Sequence, residues 1–233
     1  MSDRSNNLTL LIGGAVAVAI AVALAVALAV GGGSDSSSKQ QVAFVNVQGS
    51  ALPPFEGTSG PSDPAIGQIP PSLRGANFDD ERVEVNPGDG RPMVVGFFAH
   101  WCPHCQAELP RLSDWLNDDA NSVPEGVDVI AVSTGVDRGS PNYPPSSWFD
   151  EEGWPEPIIL DTDTNAAAQA WGLTGYPYFV VIDGTGAVIG RTSGELDQTQ
   201  WETLLNLAAT GAGDTSGLGG GESSQVDAGD GAE

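Results

Sequence analysis

The chain has 233 residues, and 31 acidic against 8 basic side chains give it a net charge of −23. A surface of that sign repels nucleic acid and anionic lipid headgroups, so a nucleic-acid-binding role is disfavoured. The length holds one globular domain of about 150 residues plus appendages, enough to bury a true core.

After a short tail at 1–7, residues 8–30 are Leu, Ile, Val, Ala, Thr and Gly without a charge. At about 1.5 Å per residue, a helix of that length crosses a hydrocarbon core of about 30 Å. A cleaved secretory segment has a shorter apolar stretch of about 7–15 residues, so the expectation is an uncleaved transmembrane anchor. Arg4 before the span and Asp35 after it favour an inside N-terminus, with Lys39 counting against. Residues 31–66 read as linker and loop. The Gly/Ser run 31–38 cannot pack, 42–47 is a strand or the end of the tether, and 50–71 is rich in Pro, Gly and Ser.

The folded domain is expected over 67–210. Strands are expected at 82–85 and, fully buried, at 93–99. A helix follows over 103–117, with Leu109, Leu112, Trp115 and Leu116 at helical spacing, Pro103 in its first turn and Pro110 as a kink. A buried strand at 127–132, a Pro-rich insertion at 137–157, a strand at 158–160 and a short helix at 165–171 come next. Strands at 178–182 and 187–191 form a hairpin around Asp183-Gly184-Thr185-Gly186, and Trp201, Leu204, Leu205 and Ala208 mark a last amphipathic helix. The tail 211–233 is Gly, Ser, Asp and Glu with almost no large apolar residue, and is expected to be disordered. Strands alternating with helices and closing on a hairpin specify an α/β sandwich, a central mixed sheet flanked by helices, preceded by one transmembrane helix.

Both cysteines lie in Trp101-Cys102-Pro103-His104-Cys105-Gln106, between the buried strand and the helix. A disulfide across so short a loop constrains little, roughly 2 kcal/mol against ~4.7 for a 100-residue loop, so a structural staple is a poor reading. At a helix N-terminus, free amides and the macrodipole favour a thiolate, which points to redox chemistry. His100, Cys102, His104 and Cys105 are also metal-ligand types, but such close neighbours rarely converge on one ion and no second Cys/His cluster exists. Asp161, Asp163 and Asn165 have calcium-loop spacing, yet Ala166 and Gly172 stand where that loop needs Gly and Glu. Trp101, Trp171 and Trp201 read first as core.

The stretch Phe97-Phe98-Ala99-His100-Trp101-Cys102-Pro103-His104-Cys105-Gln106-Ala107-Glu108-Leu109-Pro110 resembles the W-C-x-x-C-x-x-E-x-P pattern of the membrane-anchored TlpA/ResA-like branch of the thioredoxin superfamily. Trp171-Gly172-Leu173-Thr174-Gly175-Tyr176-Pro177-Tyr178-Phe179 is similar to the family segment in which a cis-proline faces the cysteines. The resemblance covers roughly 67–209. It implies a redox-active Cys102/Cys105 disulfide, Cys102 as exposed nucleophile, Cys105 as resolving thiol, Pro177 as cis-proline and Glu108 as the branch's acid. Trp101 and Tyr176, flanking the two motifs, are the candidates for client contact. No organic cofactor or metal is required.

Two departures matter. Where thioredoxins carry a buried acid six residues before the first cysteine, this chain has Gly96, and Glu108 is a candidate substitute. Pro103-His104 is the dipeptide of the oxidase DsbA, and a His104 charge or hydrogen bond on the Cys102 thiolate makes the disulfide more oxidising. The expectation is a cell-membrane-anchored, extracytoplasmic thiol-disulfide oxidoreductase acting as an oxidant on thiols of exported proteins, with a membrane redox partner. The alternatives are a thiol reductase in cytochrome c maturation and a metal-binding chaperone.

Overall fold

The computed structural model describes residues 39–57 and 59–211 and the backbone of 224–225. The described residues fall within one compact unit. The expected anchor at 8–30 lies outside the described residues, and among those described no helix is long and apolar enough to cross a membrane.

The central element is a five-stranded mixed sheet in the order β6-β5-β4-β8-β9, made of β4 (Met93–Phe98), β5 (Asp128–Ser133), β6 (Ile158–Leu160), β8 (Tyr178–Ile182) and β9 (Val188–Ser193). β4 runs parallel to β5 and antiparallel to β8, so it is central, and all six of its residues are buried. A strand covered on both faces needs apolar side chains at consecutive positions, which is why Met93-Val94-Val95-Gly96-Phe97-Phe98 does not alternate with polar residues. Its odd and even positions serve two cores. Val94 and Phe98 pack with Leu109, Phe179 and Trp201 on one face. Met93, Val95 and Phe97 pack with Trp171, Tyr178 and Ile182 on the other.

The first face is covered by α1 (Pro103–Asn117) and α4 (Gln198–Thr210). Helix α1 has the expected bounds, and Pro110 lies inside it without ending it. An Asp197/Gln200 capping box starts α4, and Gly211 ends it at φ 65°. A second, antiparallel sheet, β1 (Asn46–Gln48), β2 (Ser72–Ala76) and β3 (Arg82–Val85), packs toward β6, where Gly75 leaves room for Val45 and Ile159. The thioredoxin-like sandwich is therefore present.

Several local expectations change. Residues 39–66, read as linker and loop, are packed into the domain: Leu52 and Phe55 are buried, their amides donating to Ala170 and Gly172 carbonyls. A buried Asp63–Arg191 ion pair clamps the segment, and Arg191 also donates to the Pro53 carbonyl at 2.8 Å. Beyond β1, which lies at the end of the expected 42–47 strand, the segment has no periodicity to read, because isolated bonds to Ala170, Gly172 and Arg191 rather than a ladder satisfy its backbone. The 137–157 insertion holds a helix, α2 (Pro145–Glu151), with Trp148 and Phe149 buried. The short helix α3 is Ala166–Ala170, its first amides capped by the buried Asp161 carboxylate, so the failed calcium loop is a helix cap. Most of the 211–233 tail lies outside the described residues, but Ser224–Gln225 (β10) pairs antiparallel with Gly175–Tyr176 (β7).

Candidate active site

Cys102 is the N-cap of α1, with extended backbone, and Pro103 is the first helical residue, where a missing N–H costs nothing. The end of β4 thus delivers Cys102 to a helix N-terminus, and Cys105 follows one turn inside. No disulfide joins the two. The Tyr176–Pro177 bond is cis, and the Tyr176 carbonyl lies 3.8 Å from Cys102 Sγ, so the second motif does face the first.

Cys102 is fully buried, which corrects the expectation of an exposed nucleophile. The loop around Tyr176 lies against it, and Trp101 meets the Tyr176 ring edge-on at 5.8 Å. Tyr176 is itself 2 % exposed, its phenol pKa pushed up by burial. The residue therefore offers a client its backbone rather than its side chain. Trp101 is half-buried, its Nε1–H donating to the Gly135 carbonyl at 2.6 Å.

Cys105 is held well above the usual thiol range, first by burial and then by its hydrogen bond with Cys102, with the Glu108 charge adding to the effect. Glu108, one turn further along α1, is buried, its carboxylate accepting from the Leu196 amide at 3.2 Å and from Arg111. Burial raises its pKa from 4.5 to about 7 against the pull of those donors. A carboxylate poised near neutrality beside a resolving thiol suits proton transfer. An acid at Gly96 would not fit: a Cβ there meets the Phe98 ring at 2.8 Å and the Phe179 ring at 3.2 Å.

His104 Nδ1 lies 2.8 Å from Glu195 Oε1, and Arg111 Nη2 lies 2.8 Å from Glu195 Oε2 while also meeting Glu108. Glu195 was not among the candidates; it stands 91 residues from His104 in a polar turn, and only the fold brings the two together. His100 faces away from this cluster. Its Nδ1 contacts the Pro141 carbonyl at 2.7 Å and its Nε2 the Asp137 amide at 3.1 Å. A carbonyl only accepts and an amide only donates, which fixes the neutral tautomer with both nitrogens engaged. Among the described residues no three His, Cys, Asp or Glu side chains converge on an ion site. Surface clefts of about 540 and 490 Å³ are lined by neither cysteine, though Arg111 and Leu196 line the second.

The chain is 31 % identical over 116 residues to the thiol:disulfide interchange protein DsbE of Pasteurella multocida, covering 50 % of this chain and 58 % of that protein. It is 24 % identical over 137 residues to the thiol-disulfide oxidoreductase ResA of Bacillus subtilis, covering 59 % of this chain and 71 % of that protein. The chain thus spans little more than half the length of the DsbE relative. A thioredoxin-family thiol:disulfide interchange protein from Chlorobium tepidum superposes with TM-score 0.50 at 23 % identity, over 62 % of this chain and 97 % of that one, which bears out the fold. The AhpC/TSA family model matches residues 66–191, more than half of the chain, and the chain belongs to that family.

Proposed function

We propose that the protein is a thiol-disulfide oxidoreductase that reduces disulfides of exported proteins, held at the outer face of the cell membrane by residues 8–30. The observation that carries the reading is the Cys102/Cys105 dithiol at a helix N-terminus, facing cis-Pro177 and backed by the buried Glu108. The names of the relatives, a thiol:disulfide interchange protein and a thiol-disulfide oxidoreductase, support the exchange chemistry.

The Cys102 thiolate attacks one sulfur of a client disulfide, forming a mixed disulfide and releasing one client thiolate, which takes a proton from water. Glu108 then accepts the Cys105 proton. Cys105 attacks Cys102 Sγ, breaking the mixed disulfide and releasing the second client thiolate, which takes up a proton as Glu108 gives back the one it holds. The client gains two electrons and two protons, and the protein is left with a Cys102–Cys105 disulfide. A membrane dithiol donor restores the starting state.

The reducing direction departs from the oxidant expected from Pro103-His104. That expectation needs an unshielded His104 charge, and here Glu195 stands against it. Burial and the Glu108 charge hold the Cys105 thiol protonated, so it lends the reduced form none of the thiolate stabilisation that makes a couple oxidising. This is the direction of the cytochrome c maturation alternative.

The equilibrium reduction potential tests the direction. A value at or below about −220 mV, in the range of glutaredoxins and thioredoxin, supports a reductant; one near −120 mV, that of DsbA, overturns it.

A further inference from the structure

Glu195 is the hinge of a four-member chain of alternating charge. One carboxylate oxygen meets His104 in the first turn of α1, and the other meets Arg111, which in turn contacts Glu108. Glu195 lies on the connection between β9 and α4, next to Leu196, whose amide donates to Glu108. The same short segment therefore grips the catalytic helix at both functional turns.

We propose that Glu195 is a positioning residue that sets the redox poise of the Cys102/Cys105 pair by holding the His104 imidazole and the Arg111 guanidinium on its own carboxylate. The proposal rests on the dithiol–disulfide exchange reading above. An unshielded cation in the first turn of α1 favours the Cys102 thiolate, and a thiolate exists only in the reduced protein. Shielding that cation destabilises the reduced form and makes the couple more reducing. Glu195 also adds negative charge near Glu108 and helps to raise its pKa. Removing the Glu195 charge leaves the cations of this chain unshielded, which favours the thiolate; a more readily ionised Glu108 works against this, and the first effect prevails because His104 stands in the first turn of α1 beside Cys102. Glu195 is partly exposed, with 33 % of its side chain accessible, so its replacement leaves the core intact.

The test is the thiol–disulfide equilibrium of the full chain with glutathione, for wild type, Glu195→Gln, Glu195→Asp, His104→Ala and the His104→Ala/Glu195→Gln double variant. Glu195→Gln should shift the equilibrium at least tenfold toward the dithiol, about 30 mV more oxidising for a two-electron couple. It should also move the pH profile of Cys102 alkylation to lower pH. Glu195→Asp, which keeps the charge, should restore most of the wild-type equilibrium. In the His104→Ala background the shift should shrink severalfold, and an equal shift in both backgrounds overturns the route through His104. A Glu195→Gln equilibrium within twofold of wild type overturns the proposal, while exchange by the wild type leaves the functional reading standing. A wild type that does not exchange with glutathione at all defeats that reading instead.

Discussion

Cys102 Sγ lies 3.8 Å from the carbonyl oxygen of Tyr176, the residue whose bond to Pro177 is cis. The relationship puts the attacking sulfur under a backbone edge, Gly175–Tyr176, that already carries a strand partner in Ser224–Gln225. An extended client backbone would use the same edge, since strand addition needs unpaired N–H and C=O groups.

Proline removes the ladder donor, so Ser224→Pro with Gln225→Pro should free this edge. The expected outcome is faster alkylation of Cys102 by a bulky maleimide, with the thermal midpoint unchanged. Equal rates in the variant and the wild type would show that the tail does not limit access.

Glu108 has a raised pKa, so its contribution to stability is fully present below 4.5 and is lost as pH rises through about 7. Its side chain is fully buried, and at about 1.4 kcal/mol per unit the loss comes to about 3 kcal/mol. Chemical denaturation should show Glu108→Gln gaining on wild type by that order between pH 5 and pH 8. The same variant should resolve mixed disulfides about 100-fold more slowly at pH 8, the usual scale for a lost general base. Resolution at the wild-type rate would remove Glu108 from the proton path.

The sequence made β4, α1, both cysteines, Glu108 and Pro177 legible, because a run of buried residues, a helical period and two local motifs are short-range signals. What it hid depends on long-range partners. β2 has only Leu73 fully buried within it, too little for a strand signal. The Pro-rich stretch around 144–145 hides the start of α2, although Pro145 at a first helical position followed by Trp148-Phe149 is a usable signal. Glu195 and the packed stretch around Pro53 and Asp63 have no local signature, since each is placed by a partner far along the chain, His104 and Arg191 respectively. The burial of Cys102 depends on the Tyr176 loop and was equally out of reach.

Asp63 and Arg191 form a buried ion pair, and Arg191 also holds Pro53 and the Tyr178 hydroxyl. Removing one partner strands the other charge, so Asp63→Asn should cost about 3–5 kcal/mol. Urea denaturation checks the loss, and protease sensitivity at 39–66 should rise with it. A loss below about 1 kcal/mol, the size of a surface pair, would contradict the clamp.

His100 has its pKa lowered, first by burial, and it accepts the Asp137 amide only while neutral. Its contribution is therefore present above the ordinary value of 6.5 and is lost as pH falls through the lower folded value. The hydrogen-exchange protection factor of the Asp137 amide should fall on acidification in wild type and show no such step in His100→Gln. A step of equal size in both would place the titrating group elsewhere.

The central claim is that Cys102 attacks and Cys105 resolves, and trapping in cells tests it most directly. Cys105→Ser should accumulate mixed disulfides with exported proteins, seen as gel shifts that reductant reverses, while Cys102→Ser should accumulate none. Equal trapping by the two variants, or trapping by Cys102→Ser alone, would contradict the account.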